Sequence, residues 1–255
     1  MKNMVMIAVA ALSAGVSLGQ IQGVIIQQSG QRIAGTIQWK NTSKAYAVEQ
    51  KGGVVVEIEP EKVRELRIPE PPALRKAVAD VDVAALNKLV KDYSHLTWDT
   101  VATRYLAEAY LKQGNVKQAR DVCEKVIAAD PKAAYLGEMA PAYWEALIKN
   151  DRAAKAEEYI AKAIQSGDRR SSAFALIRRG DLIRGTGDSS DVVRKALRDG
   201  YLRIVTLYRD VKDAQPEALY KAAECFDKLK QTGRADTFRT KLQSEFASSE
   251  WAKKK

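Results

Sequence analysis

One histidine, His95, and two cysteines, Cys123 and Cys225, are all that 255 residues offer of the side chains that most often bind metals or activate nucleophiles. No CxxC pair and no Cys/His cluster exists, which excludes a structural zinc site. Catalysis through a serine or cysteine normally uses a histidine base. His95 sits in the junction Tyr93-Ser94-His95-Leu96 and reads as a surface or packing residue. The two cysteines fall at apolar positions of separate predicted helices and read as buried free thiols rather than a disulfide. The four tryptophans, Trp39, Trp98, Trp144 and Trp251, are dispersed, so no basic patch interleaved with stacking aromatics points to nucleic acid.

Long hydrophobic runs are equally scarce. The one candidate, Met4 to Val16, is short for a membrane span of about 20 residues. With Lys2 before it and Ser17-Leu18-Gly19 after it, residues 1–19 read as a signal peptide cleaved near Gly19-Gln20. The expectation is an exported protein, periplasmic or associated with the outer envelope, touching a membrane only if this segment stays as an anchor. Composition is otherwise that of a globular chain, 46% hydrophobic and 29% charged. The net charge of +10 comes from scattered doublets such as Arg169-Arg170 and Arg178-Arg179 and from the basic tail at 253–255, a pattern of solvated helix faces.

From residue 20 to 68 the hydrophobic period is two. Strands are expected at Ile21–Ile26, Arg32–Trp39, Ala45–Val48 and Val54–Ile58, with a last short turn and strand over Glu61–Ile68. Ser29-Gly30 and Gly52-Gly53 supply turns. This meander resembles the small SH3-like and Sm-like barrels. At roughly 50 residues it is marginal alone and is expected to pack on the helices or on a partner. Pro60 and the Pro69-Glu70-Pro71-Pro72 cluster mark a stiff linker over residues 69–73, because proline fixes φ and removes a donor.

Beyond Ala73 the pattern is helical. Leu86, Leu89, Val90, Tyr93 and Leu96 form a lead-in. Then comes a unit that recurs: Leu106-Ala107-x-x-Tyr110, Gly114-Asn115, Ala119-x-x-x-Cys123 and Pro131. The small residue suits a close contact between two helices, Gly114 can end the first helix at positive φ, Asn115 can cap the second, and Pro131 can stop it. A second copy keeps Tyr143-Trp144-x-x-Leu147 and Ala156-x-x-x-Ile160-x-x-Ala163, with Trp144 in the small position. A third has Arg179-Gly180-x-x-Ile183 and Gly187, its second helix lengthened and broken near Gly200. A fourth has Ala222-Ala223-x-x-Phe226, Ala235 and Leu242, with a longer turn at Gln231 to Gly233.

The unit resembles the tetratricopeptide repeat, and the stretch from Ala222 through Ala252 resembles the last repeat of such proteins in the bacterial cell envelope, among them outer-membrane assembly components and cell-division coordinators. The fold class expected is α+β: a small N-terminal β module, then an all-α right-handed helical-hairpin solenoid over residues 74–252. The resemblance implies a protein or peptide partner on a concave face lined by the first helix of each pair. Carried over by position, that face holds Arg104, Tyr105, Glu108 and Lys112, then Glu145 and Lys149, Asp181 and Arg184, and Tyr220 and Glu224. Each is equally explained as a solvated helix position with i,i+4 pairs such as Arg104–Glu108 and Glu145–Lys149. No cofactor, metal, catalytic residue, small-molecule substrate or nucleic-acid partner is expected. Arg184-Gly185-Thr186-Gly187-Asp188-Ser189-Ser190 is not a phosphate loop, since no strand precedes it and no Gly-Lys-Ser/Thr ends it; a helix cap at Asp188 or Ser189 accounts for it. Asn41-Thr42-Ser43 matches a glycosylation acceptor, a pattern common by chance. Alternative readings are an envelope assembly subunit docking through its β module, binding of polyanions by the basic surface, and a cell-wall hydrolase, which predicts carboxylates converging in a deep polar pocket.

Overall fold

The computed structural model describes residues 21–254, and the leader expected at 1–19 lies outside the described residues. The chain divides into two compact units. One holds everything described up to Glu70 together with Asp92–Thr97; the other holds Pro71–Lys91 and the chain from Trp98 onward.

In the first unit five strands form an antiparallel sheet: β1 (Gln22–Gln27), β2 (Arg32–Lys40), β3 (Ala45–Glu49), β4 (Val55–Ile58) and β5 (Val63–Arg67), in the order β4-β3-β2-β1-β5. The first four follow one another as a meander, with Ile25 opposite Ile33, Ile37 opposite Val48, and Val48 opposite Val56. Turns fall where the glycines placed them, with Gly30, Gly52 and Gly53 at positive φ. After a 3-10 turn at Pro60–Lys62 the chain crosses to the other side and β5 pairs with β1. Ile25, Ile37 and Val48 are fully buried and Ile26 and Ile58 nearly so. Each such side chain contributes about 1.5–3 kcal/mol on leaving water, so this small core accounts for the module's cohesion. His95 is a packing residue: its ring stacks on Trp39 at 4.5 Å, and Tyr46 Oη donates to its carbonyl at 3.2 Å.

The second unit begins with a lead-in pair, α1 (Leu74–Ala79) and α2 (Val83–Asp92). Four antiparallel pairs follow: α3 (Asp99–Lys112) with α4 (Val116–Ala129), α5 (Ala140–Lys149) with α6 (Ala153–Gln165), α7 (Arg169–Gly185) with α8 (Ser190–Ala196) and α9 (Leu202–Leu207), and α10 (Gln215–Lys228) with α11 (Thr232–Phe246). Small residues sit between the helices of the first and last pairs, as expected: Ala107 and Ala119, and Ala222 and Ala235, are buried completely, and in the second pair the buried alanines Ala156 and Ala163 are both on α6. Cys123 and Cys225 are buried free thiols, and burial pushes their pKa values up to about 12 and about 11.

Three local expectations are corrected. Asn115 precedes α4 but its side chain caps nothing; the Nδ2 donates instead to Gln113 at 3.4 Å. Pro131 does stop α4, as expected: the helix ends at Ala129 with Asp130 as its last flanking residue, and Pro131 opens a 3-10 turn at Pro131–Ala134. That turn makes room for Trp144, fully buried, whose Nε1 donates to Ala134 at 2.8 Å. The connection before α11 is as short as that before α4, because the helix starts at Thr232 and takes in Gly233. In the third pair the second helix does not break at Gly200. A π-helical turn at Leu197–Tyr201 joins α8 to α9 and absorbs the shift of register. Gly200 lies against Gly180 there: a Cβ on Gly200 would sit 2.8 Å from Gly180 Cα, a distance real side chains do not tolerate. Ser189 caps α8, accepting from the Val192 amide at 3.3 Å.

Candidate functional site: a charged groove

The first helices of the four pairs line a groove of about 800 Å³, closed at one end by residues after α11. Its wall is written in i,i+4 stripes, the spacing that puts side chains on one helix face. Arg104, Glu108 and Lys112 line it from α3, Glu145 and Lys149 from α5, Arg170, Phe174 and Arg178 from α7, and Glu217 and Lys221 from α10.

Arg178 is the centre of the floor, with 11% of its side chain exposed. Its Nη1 lies 2.7 Å from both Asp181 and Glu217, and its Nη2 lies 3.3 Å from Glu145. One guanidinium therefore joins helices of three successive pairs, the geometry of a planar fork meeting carboxylates. Lys221 adds contacts of 2.6 Å to Asp181 and 2.9 Å to Glu217. Tyr201, from the π turn, donates to Asp181 at 2.8 Å. Burial works against the charge on Arg178, but Glu217, Asp181 and Glu145 outweigh it and hold its pKa well above the ordinary arginine value. Burial likewise opposes ionisation of Glu145 and Asp181, and Arg178 with the neighbouring lysines overrides it, holding both carboxyls below their usual range.

A second chain of charges runs along the rim. Glu138, just before α5, bonds Arg104 on one side and Arg170, at 2.7 Å, on the other; Arg170 reaches on to Asp213 at 2.6 Å. Arg104 also packs over the Tyr105 ring, 4.3 Å from its centre. Half-buried Glu108 is the exception among these acids. Its desolvation exceeds the pull of Arg104 and Lys112, and its carboxyl is pushed above the usual range. The end wall comes from Glu250, Trp251 and Lys254. Trp251 packs on Tyr220 with ring centres 5.4 Å apart, and the Lys254 ammonium lies 3.4 Å from its ring centre. Lys112, at the end of α3, lies 3.9 Å from Glu250.

Of the residues carried over from the sequence, Arg104, Tyr105, Glu108, Lys112, Glu145, Lys149 and Asp181 lie together in this groove. Arg184 does not; it pairs with Asp188 and donates to the Gly187 carbonyl at 3.1 Å, closing the end of α7. Tyr220 and Glu224 are also outside the lining, Tyr220 standing behind Trp251. Sequence reasoning missed Arg178, Glu217, Lys221, Glu138 and Arg170. The doublet Arg178-Arg179 is not the solvated pair its sequence suggests, because Arg178 is buried. The available signal was the i,i+4 stripe Arg170, Phe174, Arg178.

Carboxylates do converge here, as the hydrolase reading required, but cations alternate with them. Glu108, Glu138, Glu145, Asp181 and Glu217 each contact an arginine or a lysine. Among the described residues no cluster of three or more His, Cys, Asp or Glu side chains could hold a metal ion, and no helix is long and apolar enough to cross a membrane.

Two stretches, residues 104–133 and 217–249, match the family model of the tetratricopeptide repeat. They are the first and last of the four helix pairs. No curated protein matches the chain.

Proposed function

The chain is a tetratricopeptide-repeat protein, and from that premise we propose that it is a non-enzymatic scaffold that captures a partner polypeptide in the groove of its helical unit. Tetratricopeptide repeats suggest a role in protein–protein interaction. The observation that carries the proposal is that one continuous groove takes its lining from the first helix of all four pairs. Repeats that bury one side against their neighbours leave such an extended surface for a ligand. The lining cations Arg104, Lys112, Lys149, Arg170, Arg178, Lys221 and Lys254 are matched by as many carboxylates, Glu108, Glu138, Glu145, Asp181, Asp213, Glu217 and Glu250. A balanced wall of this kind favours a polypeptide over a polyanion. The leader pattern at Met1–Gly19 supports export, and we place the protein's work in the periplasm or at the outer envelope of a bacterium.

The test is site-specific photo-crosslinking in the native host. A photoreactive residue in place of Lys112 or Lys149, at the groove, should trap a discrete protein partner. The same residue in place of Lys117 or Lys125, on α4, should not. Equal trapping from both sets of positions removes the groove from the reading.

A further inference from the structure

We propose that the outer side of the third pair's second helix, from Arg194 to Leu207, rests on the surface of a lipid bilayer rich in anionic headgroups. The distribution of charge leads there. The β module carries as many acids as bases, and so does the wall of the groove. Nearly all of the net charge of +10 therefore lies on the rest of the helical unit. Elsewhere on the second helices acids and bases are matched locally. On α4 Asp121 and Glu124 both hold Arg120, and on α6 Glu158 holds Lys162. Between Arg194 and Leu207 the cations Arg194, Lys195, Arg198 and Arg203 have one carboxylate among them, Asp199. Its bond from Arg198, at 2.7 Å, and the fields of Lys195 and Arg203 hold that carboxyl below its usual range. Asp191, 3.2 Å from Arg194, stands at the start of α8, before this run.

Because α8, the π turn and α9 follow one another without a break, these cations fall along one side of about 20 Å of helix. Val193, Ala196, Leu197, Tyr201 and Ile204 are buried on the other side, while the Arg194 and Arg198 side chains are 62% and 75% exposed. Leu207 ends the run and is 57% exposed, one of three large apolar side chains so open among the described residues. Its backbone is held: Arg169 donates from Nη2 to its carbonyl at 2.9 Å and from Nε to Asp210 at 2.8 Å. The same grip engages Asp210, the carboxylate beside Arg209. A basic stripe that ends in an exposed leucine on a fixed backbone matches a bilayer surface, where phosphate headgroups meet the cations and the leucine enters the acyl boundary. Nucleic acid would call for a ring on which bases stack, and the ring beside Leu207, that of Tyr208, is covered by Arg169 at 5.0 Å. One leucine and a few cations make this contact weak and reversible.

The test reads position as well as binding, so that the leader pattern at residues 1–19 does not decide it. Cys123 and Cys225 are buried, and a cysteine introduced at the surface of the full chain takes a polarity-sensitive fluorophore alone. On vesicles of phosphatidylglycerol and phosphatidylcholine, a label at Leu207→Cys should shift to the blue, and one at Lys117→Cys on α4 should not. On phosphatidylcholine alone neither should shift. In co-sedimentation with the mixed vesicles, Lys195→Glu with Arg198→Glu, both at exposed positions, should weaken binding at least tenfold. Leu207→Ser should weaken it severalfold, and added salt should weaken the parent. A label at 207 that stays in water, equal shifts at 117 and 207, or binding indifferent to the double charge reversal would each overturn the proposal. So would capture of soluble polyphosphate tighter than of the vesicles and unchanged by Leu207→Ser, which would give the stripe to a free polyanion.

Discussion

The guanidinium of Arg178 on α7 lies 2.7 Å from the carboxylate of Glu217 on α10, a residue with 8% of its side chain exposed. The same guanidinium holds Glu145 on α5. Neither acid has comparable freedom to find water. Removing the cation therefore leaves buried negative charge, which costs more than the ion pair is worth. Arg178→Ala should destabilise the protein by about 3–5 kcal/mol. Urea unfolding measures it. A loss near zero would show that Lys221 alone neutralises the cluster.

Gly180 and Gly200 bring α7 and the π turn into backbone contact. Gly200→Ala drives a methyl into main-chain atoms that cannot rotate away, and overpacking of this kind costs about 1–3 kcal/mol. Gly185, also in α7, has open space where its side chain would be. Gly185→Ala should instead stabilise by about 0.5–1 kcal/mol, since alanine loses less freedom in a helix. Thermal melts of the two variants should move in opposite directions.

What the sequence made legible follows from what is local. Period two and paired glycines located the strands, and recurring small residues located the helix pairs. The return of β5 to β1 was not legible, because it depends on how far the sheet curls rather than on any residue in β5. On α10 the groove face passes through Glu217 and Lys221, one residue round from the expected Tyr220. The burial of Arg178 was hidden because its partners Glu145 and Glu217 lie more than thirty residues away in either direction. In the third pair the π turn rearranges the second helix without any proline to announce it.

The turns between paired helices carry a signal of the same hidden sort. Gly114 has φ of 77° where α3 gives way to α4. The equivalent residue after α5 is Asp151, at 54°, and after α10 it is Lys230, at 57°. A side chain in the left-handed region costs about 1–2 kcal/mol, partly offset because glycine loses more entropy on folding. Lys230→Gly should therefore stabilise by up to about 1 kcal/mol, with Gly114→Ala destabilising by a similar amount. Chemical denaturation of both variants checks the pair, and equal responses would mean that the turn relaxes.

Acid should act on the groove in two opposite senses. Asp181 and Glu145 have folded pKa values below their unfolded ones, so their contribution to stability is full at neutral pH, above the unfolded values. It is lost as pH falls through the folded values, and this sets the acid limb of unfolding. Glu108 is the reverse case, its folded pKa raised by desolvation. At neutral pH the chain holds that carboxylate charged at a cost, which protonation relieves as pH falls through the raised value. Glu108→Gln should consequently be more stable than the parent at pH 7, by less than about 1 kcal/mol because solvent at the rim screens the site. The difference should shrink on acidification and vanish once the parent's Glu108 is protonated. Melting temperatures of the two proteins from pH 3 to pH 8 read this directly. A difference that grows toward low pH would mean that Arg104, and not desolvation, governs Glu108.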